Sequence, residues 1–296
     1  MDRRICVHLG IVEESWRCRI GSEDVSLALA TGDAVDTALE FKARGTFAPI
    51  EDMVGGGPFR LQAGQWTDDT SMALCLASSL VERKQFDPRD QMLRYVRWRT
   101  EGYMSSTGVC FDIGTPTAQA LRRFRDTGDP YAGSTDPDAA GNGCIMRLAP
   151  VPMFFFPDEA AAVEHAGASS RTTHGADECL DASELFAPIL VRALAGKSRQ
   201  EILVGSRSLA LRTASVQEIA RGAYLQKPAD AIRGSGHVVA CLGAALWTFA
   251  RTNSFREAIL MAANLGDDAD TTAAVCGQVA GAHYGRHRAW RGGAGG

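Results

Sequence analysis

Two acidic clusters constrain this chain more than any other feature: Thr67-Asp68-Asp69-Thr70 and, almost two hundred residues later, Gly266-Asp267-Asp268-Ala269-Asp270-Thr271. Each stands before a long apolar stretch in which alanine and leucine recur at three- and four-residue spacing, the period of a helix. Both clusters therefore put carboxylates and hydroxyls at a helix N-terminus, where unpaired backbone N–H groups favour negative charge. Asp and Thr are also good N-caps, and capping alone accounts for either cluster taken singly. Three acids in the four positions 267–270 exceed that need, and Gly266 permits a sharp turn that aims them inward. Ligands that are all oxygen, without histidine or cysteine, suit Mg²⁺ or Mn²⁺ rather than Zn²⁺. Two such clusters on distant helices predict a two-metal site assembled between them.

The rest of the chain reads as helical. Alternating β-branched runs are sparse, and helical spacing predicts helices over 23–43, 68–83, 88–100, 115–125, 158–167, 175–196, 199–209, 214–222, 236–251, 254–263 and 271–285. Thr67 or Asp68 is expected to cap the helix at 68–83, and Asp270 or Thr271 the last one. Loops at 45–66, 102–116 and 127–143 are long and rich in turn residues, as functional loops are. No linker, composition shift or internal repeat divides the chain, so an all-α, single compact domain is expected over 25–290. An N-terminal segment (1–24) precedes it, and a glycine-rich tail (291–296) follows.

Within the helix predicted at 23–43, Asp33, Asp36 and Glu40 fall at i, i+3 and i+7 and would share one face among small apolar neighbours. Like charges placed so closely need a cation, protons or donors to offset them. His174 reads on spacing alone as a cap or surface residue. His283 and His287 lack the glutamate of an HExxH motif and read as structural or exposed. The loop Gly141-Asn142-Gly143 could offer backbone N–H groups to a phosphate.

Net charge is −4 with acids and bases mixed along the chain, which provides no footprint for nucleic acid or an anionic membrane. The longest apolar run, 238–250, is too short to span a bilayer, and the N-terminal residues lack a signal-peptide core. Eight cysteines are scattered without a CxxC pair, as expected of reduced, buried thiols in a soluble cytoplasmic protein.

Taken in order, these segments resemble the ADP-ribosylglycohydrolase family, which includes the dinitrogenase reductase-activating glycohydrolase. The matching stretches are Gly32-Asp33-Ala34 through Glu40-Phe41, Trp66-Thr67-Asp68-Asp69-Thr70, Gly141-Asn142-Gly143-Cys144-Ile145-Met146-Arg147 with Ala149-Pro150, Thr173-His174, and 264–285. The resemblance implies an all-helical fold around a central pair of Mg²⁺ or Mn²⁺ ions. Thr67, Asp68 and Asp69 match its first ligand motif, and Asp268, Asp270 and Thr271 its second. Glu40 matches a glutamate over the metals, and Asp112 a segment lining the distal ribose. Gly141, Asn142 and Gly143 match the loop that holds the diphosphate. His174 matches a ligand-contacting histidine, and His237 a residue against the adenosine.

The implied activity is hydrolysis of the bond between ADP-ribose and a protein side chain, most plausibly arginine. Glu40, Asp69 and Asp268 are the candidates for acid/base work, and the resemblance does not choose among them. Expected partners are an ADP-ribosylated protein, ADP-ribose, and an ADP-ribosyltransferase toxin whose modification the enzyme would reverse. The competing reading is an inactive ADP-ribose-binding or toxin-binding protein of the same fold. One departure stands out: family members carry a glycine where this chain has Asp36, so that residue either alters packing or adds a charge beside the metals.

Overall fold

The computed structural model describes residues 22–204 and 209–285. Most of the N-terminal segment, His287 and the 291–296 tail lie outside the described residues. Among those described the regular structure is helical, and the only β-type pairing is isolated bridges, at Gly56–Leu61, Ser134–His174 and Gly141–His237.

The helices in chain order are α1 (Ser22–Asp36), α2 (Asp68–Arg83), α3 (Pro88–Glu101), α4 (Thr115–Thr127), α5 (Gly143–Met146), α6 (Pro150–Phe155), α7 (Glu159–Arg171), α8 (Asp177–Leu194), α9 (Arg199–Val204), α10 (Ala214–Ala220), α11 (Val238–Arg251), α12 (Phe255–Ala263) and α13 (Ala269–Tyr284). Local chemistry sets many of their ends. Asp87 accepts from the Asp90 N–H at 3.0 Å with Pro88 in the first turn, and Gly102, at φ 68°, closes α3 by donating to Trp98 O. Ser254 caps α12 through the Glu257 N–H, while Glu257 reaches back to the Asn253 N–H at 2.9 Å, a reciprocal capping arrangement displaced by one residue.

Two sequence expectations change. The helix predicted over 23–43 stops at Asp36, and Glu40 lies in the turn that follows. Asp33 and Asp36 share a helix face; Glu40 does not belong to it. Tertiary contacts stop the helix: Phe41 adopts φ 61°, its N–H donates to Asp267 O at 2.9 Å, and the Asp267 N–H donates to Lys42 O at 2.8 Å. At the other end of the chain Asp268, not Asp270 or Thr271, is the N-cap residue of α13.

Among the described residues one large apolar cluster dominates the core, with two smaller ones beside it. α8 and α11 form its centre, contributing Phe186, Leu190, Leu242 and Phe249, all fully buried. The most extensive helix pairing is between α1 and α13, the first and last described. Glycines let these two backbones approach closely: a Cβ on Gly32 would stand 2.3 Å from Ala273 O, and one on Gly277 2.5 Å from Ala28 O. Neither site can yield without parting the helices. Gly32→Ala or Gly277→Ala is therefore expected to cost about 1–3 kcal/mol through overpacking. Urea denaturation would show this as a lower midpoint, and an unchanged midpoint would contradict the close approach.

Candidate active site

The two acidic clusters meet where α2 and α13 begin, and α1 holds them there. Asp33 is fully buried, and its carboxylate accepts from the backbone and hydroxyl of both Thr67 and Thr70. The hydroxyl bonds are 2.8 Å from Thr67 and 2.6 Å from Thr70. A carboxylate from one helix thus satisfies the free N–H groups opening another. Thr67 occupies the N-cap position of α2 without using its own side chain as the cap. Its hydroxyl proton goes to Asp33, which leaves the oxygen's lone pairs to face the cluster. Burial raises the Asp33 pKa, and the bonds from Thr70 and Thr67 pull it back.

Around this anchor stand Asp36, Glu40, Asp68, Asp69, Asp112, Asp268 and Asp270. Thr271 Oγ1 donates to Asp69 Oδ1 at 3.3 Å, which joins the two helix starts directly. One oxygen each of Glu40, Asp112 and Asp270 lie within 4.8 Å of one another. Among the described residues, three of the six non-glycine residues with positive φ sit on the supporting segments: Phe41, Asp112 at 57° and Asp267 at 62°. Strain of this kind persists where the surrounding structure enforces it, and it gathers at functional sites. Gly266, at φ 72°, makes the turn expected of it and lies against Lys42 O.

The electrostatics are lopsided. Burial is the largest influence on Asp36, Asp68, Asp69 and Asp270 and raises the pKa of each, and neighbouring carboxylates raise them further. Glu40 and Asp112 are raised as well, first by burial; the hydrogen bond between them favours Glu40 as the protonated donor and Asp112 as the acceptor. Both oxygens of Asp36, Oε2 of Glu40 and Oδ2 of Asp69 are buried without a partner. Crowded like charges with unfilled acceptor positions require protons or a cation. A donor set made only of oxygen fits a hard divalent ion.

The glycine loop borders this cluster. Asn142 Nδ2 donates to Asp268 Oδ2 at 2.7 Å and to Ser235 O at 3.1 Å. The loop's first two amides are already spent, Gly141 on Ala139 O and Asn142 on Gly236 O, so they are not open to a phosphate as the sequence suggested. His237 is half-exposed at the N-cap of α11, paired with Glu178 at 3.1 Å. His174 is neither cap nor surface residue: it is buried, with Nε2 against Gly141 and Gly143.

Sequence reasoning gave Arg147 and Thr173 no role, yet together they orient that histidine. Arg147 is fully buried and donates to Gly143 O and Thr173 Oγ1, each at 2.6 Å. Thr173 Oγ1 lies 2.8 Å from His174 Nδ1. With Arg147 donating to it, the threonine hydroxyl has its own proton to give to Nδ1, an arrangement that fits a neutral His174 with hydrogen on Nε2. Burial and then the Arg147 charge push the His174 pKa down to about 3.

Two of the long loops form a shared wall beside Asp112. Phe59 and Phe111 pack at 5.2 Å between ring centroids, Ser106 Oγ donates to Trp66 O at 2.6 Å, and Trp66 Nε1 donates to Met104 O at 3.3 Å.

Helices alone, converging on an oxygen-only carboxylate cluster beside a glycine loop, give the architecture of a helical hydrolase. A sequence profile of the ADP-ribosylglycohydrolase family matches residues 24–292, and the chain belongs to that family. It is similar to the ADP-ribosylarginine hydrolase Tri1 of Pseudomonas putida (strain GB-1), at 48% identity over 260 residues, covering 88% of this chain and 69% of the relative. It is also similar to the ADP-ribosyl-[dinitrogen reductase] glycohydrolase of Rhodospirillum rubrum, at 30% identity over 263 residues, covering 88% and 84%. Among solved structures it is similar to an ADP-ribosylglycohydrolase-related protein complex, with a TM-score of 0.77 and 43% identity over 89% of this chain and 87% of that one.

Two outcomes follow. The pKa values of Asp36, Glu40, Asp68, Asp69, Asp112 and Asp270 lie above their unfolded ones, so the metal-free fold holds protons that the unfolded chain releases. Its stability is full in acid and is lost as pH rises through the folded values. His174 acts in the opposite direction but only below its ordinary 6.5. The melting temperature in chelator should therefore fall by several degrees from about pH 6.5 to 9, and the fall should shrink with Mg²⁺ or Mn²⁺; a flat profile in chelator would contradict the assignment. In ¹⁵N spectra at near-neutral pH, His174 should be neutral and protonated on Nε2, and a cationic ring or the other tautomer would exclude the threonine relay.

Proposed function

We propose that this protein hydrolyses the glycosidic bond between ADP-ribose and an arginine side chain of a protein, reversing mono-ADP-ribosylation. The observation that carries this reading is the meeting of Asp69, Asp268, Asp270, Glu40 and Asp112 beside the Asn142 loop, with buried carboxylate oxygens left over. The Tri1 relatives, named as ADP-ribosylarginine hydrolases, support arginine as the modified residue.

Thr67, Asp68, Asp69, Asp268, Asp270 and Thr271 would hold two divalent cations, Mg²⁺ or Mn²⁺. When bound, such ions supply Lewis acidity and lower the pKa of a coordinated water. The protein's own groups do the rest. Breaking the C1″–N bond builds oxocarbenium-like charge on the distal ribose, which the surrounding carboxylates stabilise. Glu40, carrying a proton against Asp112, gives it to the departing guanidine nitrogen. The water oxygen bonds to C1″, and its proton passes to Asp69 or Asp268. Asn142 fixes Asp268 for this by holding its Oδ2.

Substrate recognition falls to the neighbouring elements. Gly141, Asn142 and Gly143 border the diphosphate, the two glycines admitting the His174 ring, which offers its Nε2–H there; Asp112 faces the distal ribose, and His237 flanks the adenosine. The six described cysteines are all free, five of them buried, which suits a reducing cytoplasm. No helix among the described residues is long and apolar enough to cross a membrane. In the cell the same reaction would undo the work of an ADP-ribosylating toxin, and immunity is the role we assign to it.

The test is release of free ADP-ribose from an arginine-ADP-ribosylated protein, with Mn²⁺ or Mg²⁺ and with chelator. Release should need the metal, and Asp69→Asn or Asp268→Asn should lower kcat/KM by about 10²–10⁴-fold. Release at an equal rate in chelator would reject the metal centre. Tight ADP-ribose binding without any release would make the protein a binder rather than an enzyme.

A further inference from the structure

Asp36 has no structural explanation. It is the last residue of α1, one turn beyond Asp33 on the same helix face, and it is 0% exposed. The contrast between the two is sharp. Asp33 accepts from four donor groups of Thr67 and Thr70, whereas neither oxygen of Asp36 has a partner. The helix makes matters worse, because negative charge at a C-terminus opposes the helix dipole. Protonation removes the charge but leaves the carboxyl buried without any of the donors that Asp33 has. Packing gives no reason for a carboxylate either: Ala34, Val35, Ala38 and Leu39 around it in sequence are buried and apolar. The charged groups that act on it are Glu40, Asp268, Asp33 and Asp69, all acidic and all of the cluster described above.

We infer that Asp36 is a further cation-facing carboxylate of this centre, supplying oxygen beyond what the two helix-opening motifs provide. This rests on the metal reading proposed above. A divalent ion turns a buried, donor-free carboxylate among other carboxylates from a cost into a favourable contact, which a proton does not. An added anionic oxygen raises the affinity of the centre and favours hard, oxygen-preferring ions further.

The experiment is calorimetric titration of Mn²⁺ into the metal-free full chain, for wild type, Asp36→Asn, Asp36→Ala and Asp69→Asn, alongside melting curves in chelator and in Mn²⁺. Both Asp36 variants should bind Mn²⁺ at least about tenfold more weakly, or lose one binding equivalent, since losing even an indirect contact to a metal costs 10–100-fold. Asp36→Ala should melt no lower than wild type in chelator, yet gain less from Mn²⁺. Wild-type affinity in both Asp36 variants while Asp69→Asn loses binding would overturn this inference and leave the metal centre standing. An equal fall in melting temperature with and without Mn²⁺, at unchanged affinity, would make Asp36 a structural residue and overturn it too. If wild type itself takes up no Mn²⁺, the inference and the metal reading both fail.

Discussion

The Asp33 carboxylate is the interaction on which the site depends. Its oxygens take the donors of Thr67 and Thr70 that would otherwise be free at the start of α2. That single contact fixes how α1 meets α2, and α1 in turn lies along α13 at glycine-to-carbonyl distance. Shift α1 by a fraction of a turn and three things move together: the turn carrying Glu40, its backbone pairing with Asp267, and the start of α13. The acidic motifs are thus positioned by a residue outside both of them.

A second buried aspartate shows what this fold does when the task is purely structural. Asp181 is fully buried in α8 and accepts from Arg212 at 2.7 Å and from the Thr213 N–H and hydroxyl at 2.7 and 2.8 Å. It has donors and a counter-ion. Among the described residues the cluster carboxylates have no counter-ion, and Asp36, Glu40 and Asp69 keep oxygens without donors. Burying charge without compensation lowers stability, and the wide apolar core around α8 and α11 is what tolerates it. The difference between Asp33 or Asp181 and the rest of the acids separates scaffold from chemistry within one residue type.

Much of this was legible in the sequence, because helical period, caps and acidic clusters are local signals. The helices at 68–83, 88–101 and 254–263 needed little more than their caps and apolar spacing. The end of α1 was not legible: Ala38, Leu39 and Glu40 favour helix, and the chain leaves it because Phe41 pairs with Asp267, more than two hundred residues away. The role of Asp33 was hidden too, because its partners Thr67 and Thr70 open another helix, 34 and 37 residues further on. Arg147 was visible as a motif residue without a purpose. Its bond to Gly143 is local, but the one to Thr173 exists only once α5 packs beside the end of α7. Asp112 was read as a ribose contact, and the fold also brings it against Glu40 and Asp270.

The pairing of α1 with α13 carries a consequence for how the protein comes into being. Residues that must meet at the centre come from near both ends of the described chain, so the contacts that close it span almost its whole length. Such long-range closure is entropically slow and comes late. A ribosome releases the Asp33 segment well before the Asp268 segment. Until α13 emerges, α1 has no partner for its glycine face and the first acidic cluster stands alone. The nascent chain thus has no assembled centre until α13 has left the ribosome, and the site forms in one step once both acidic clusters are free to meet.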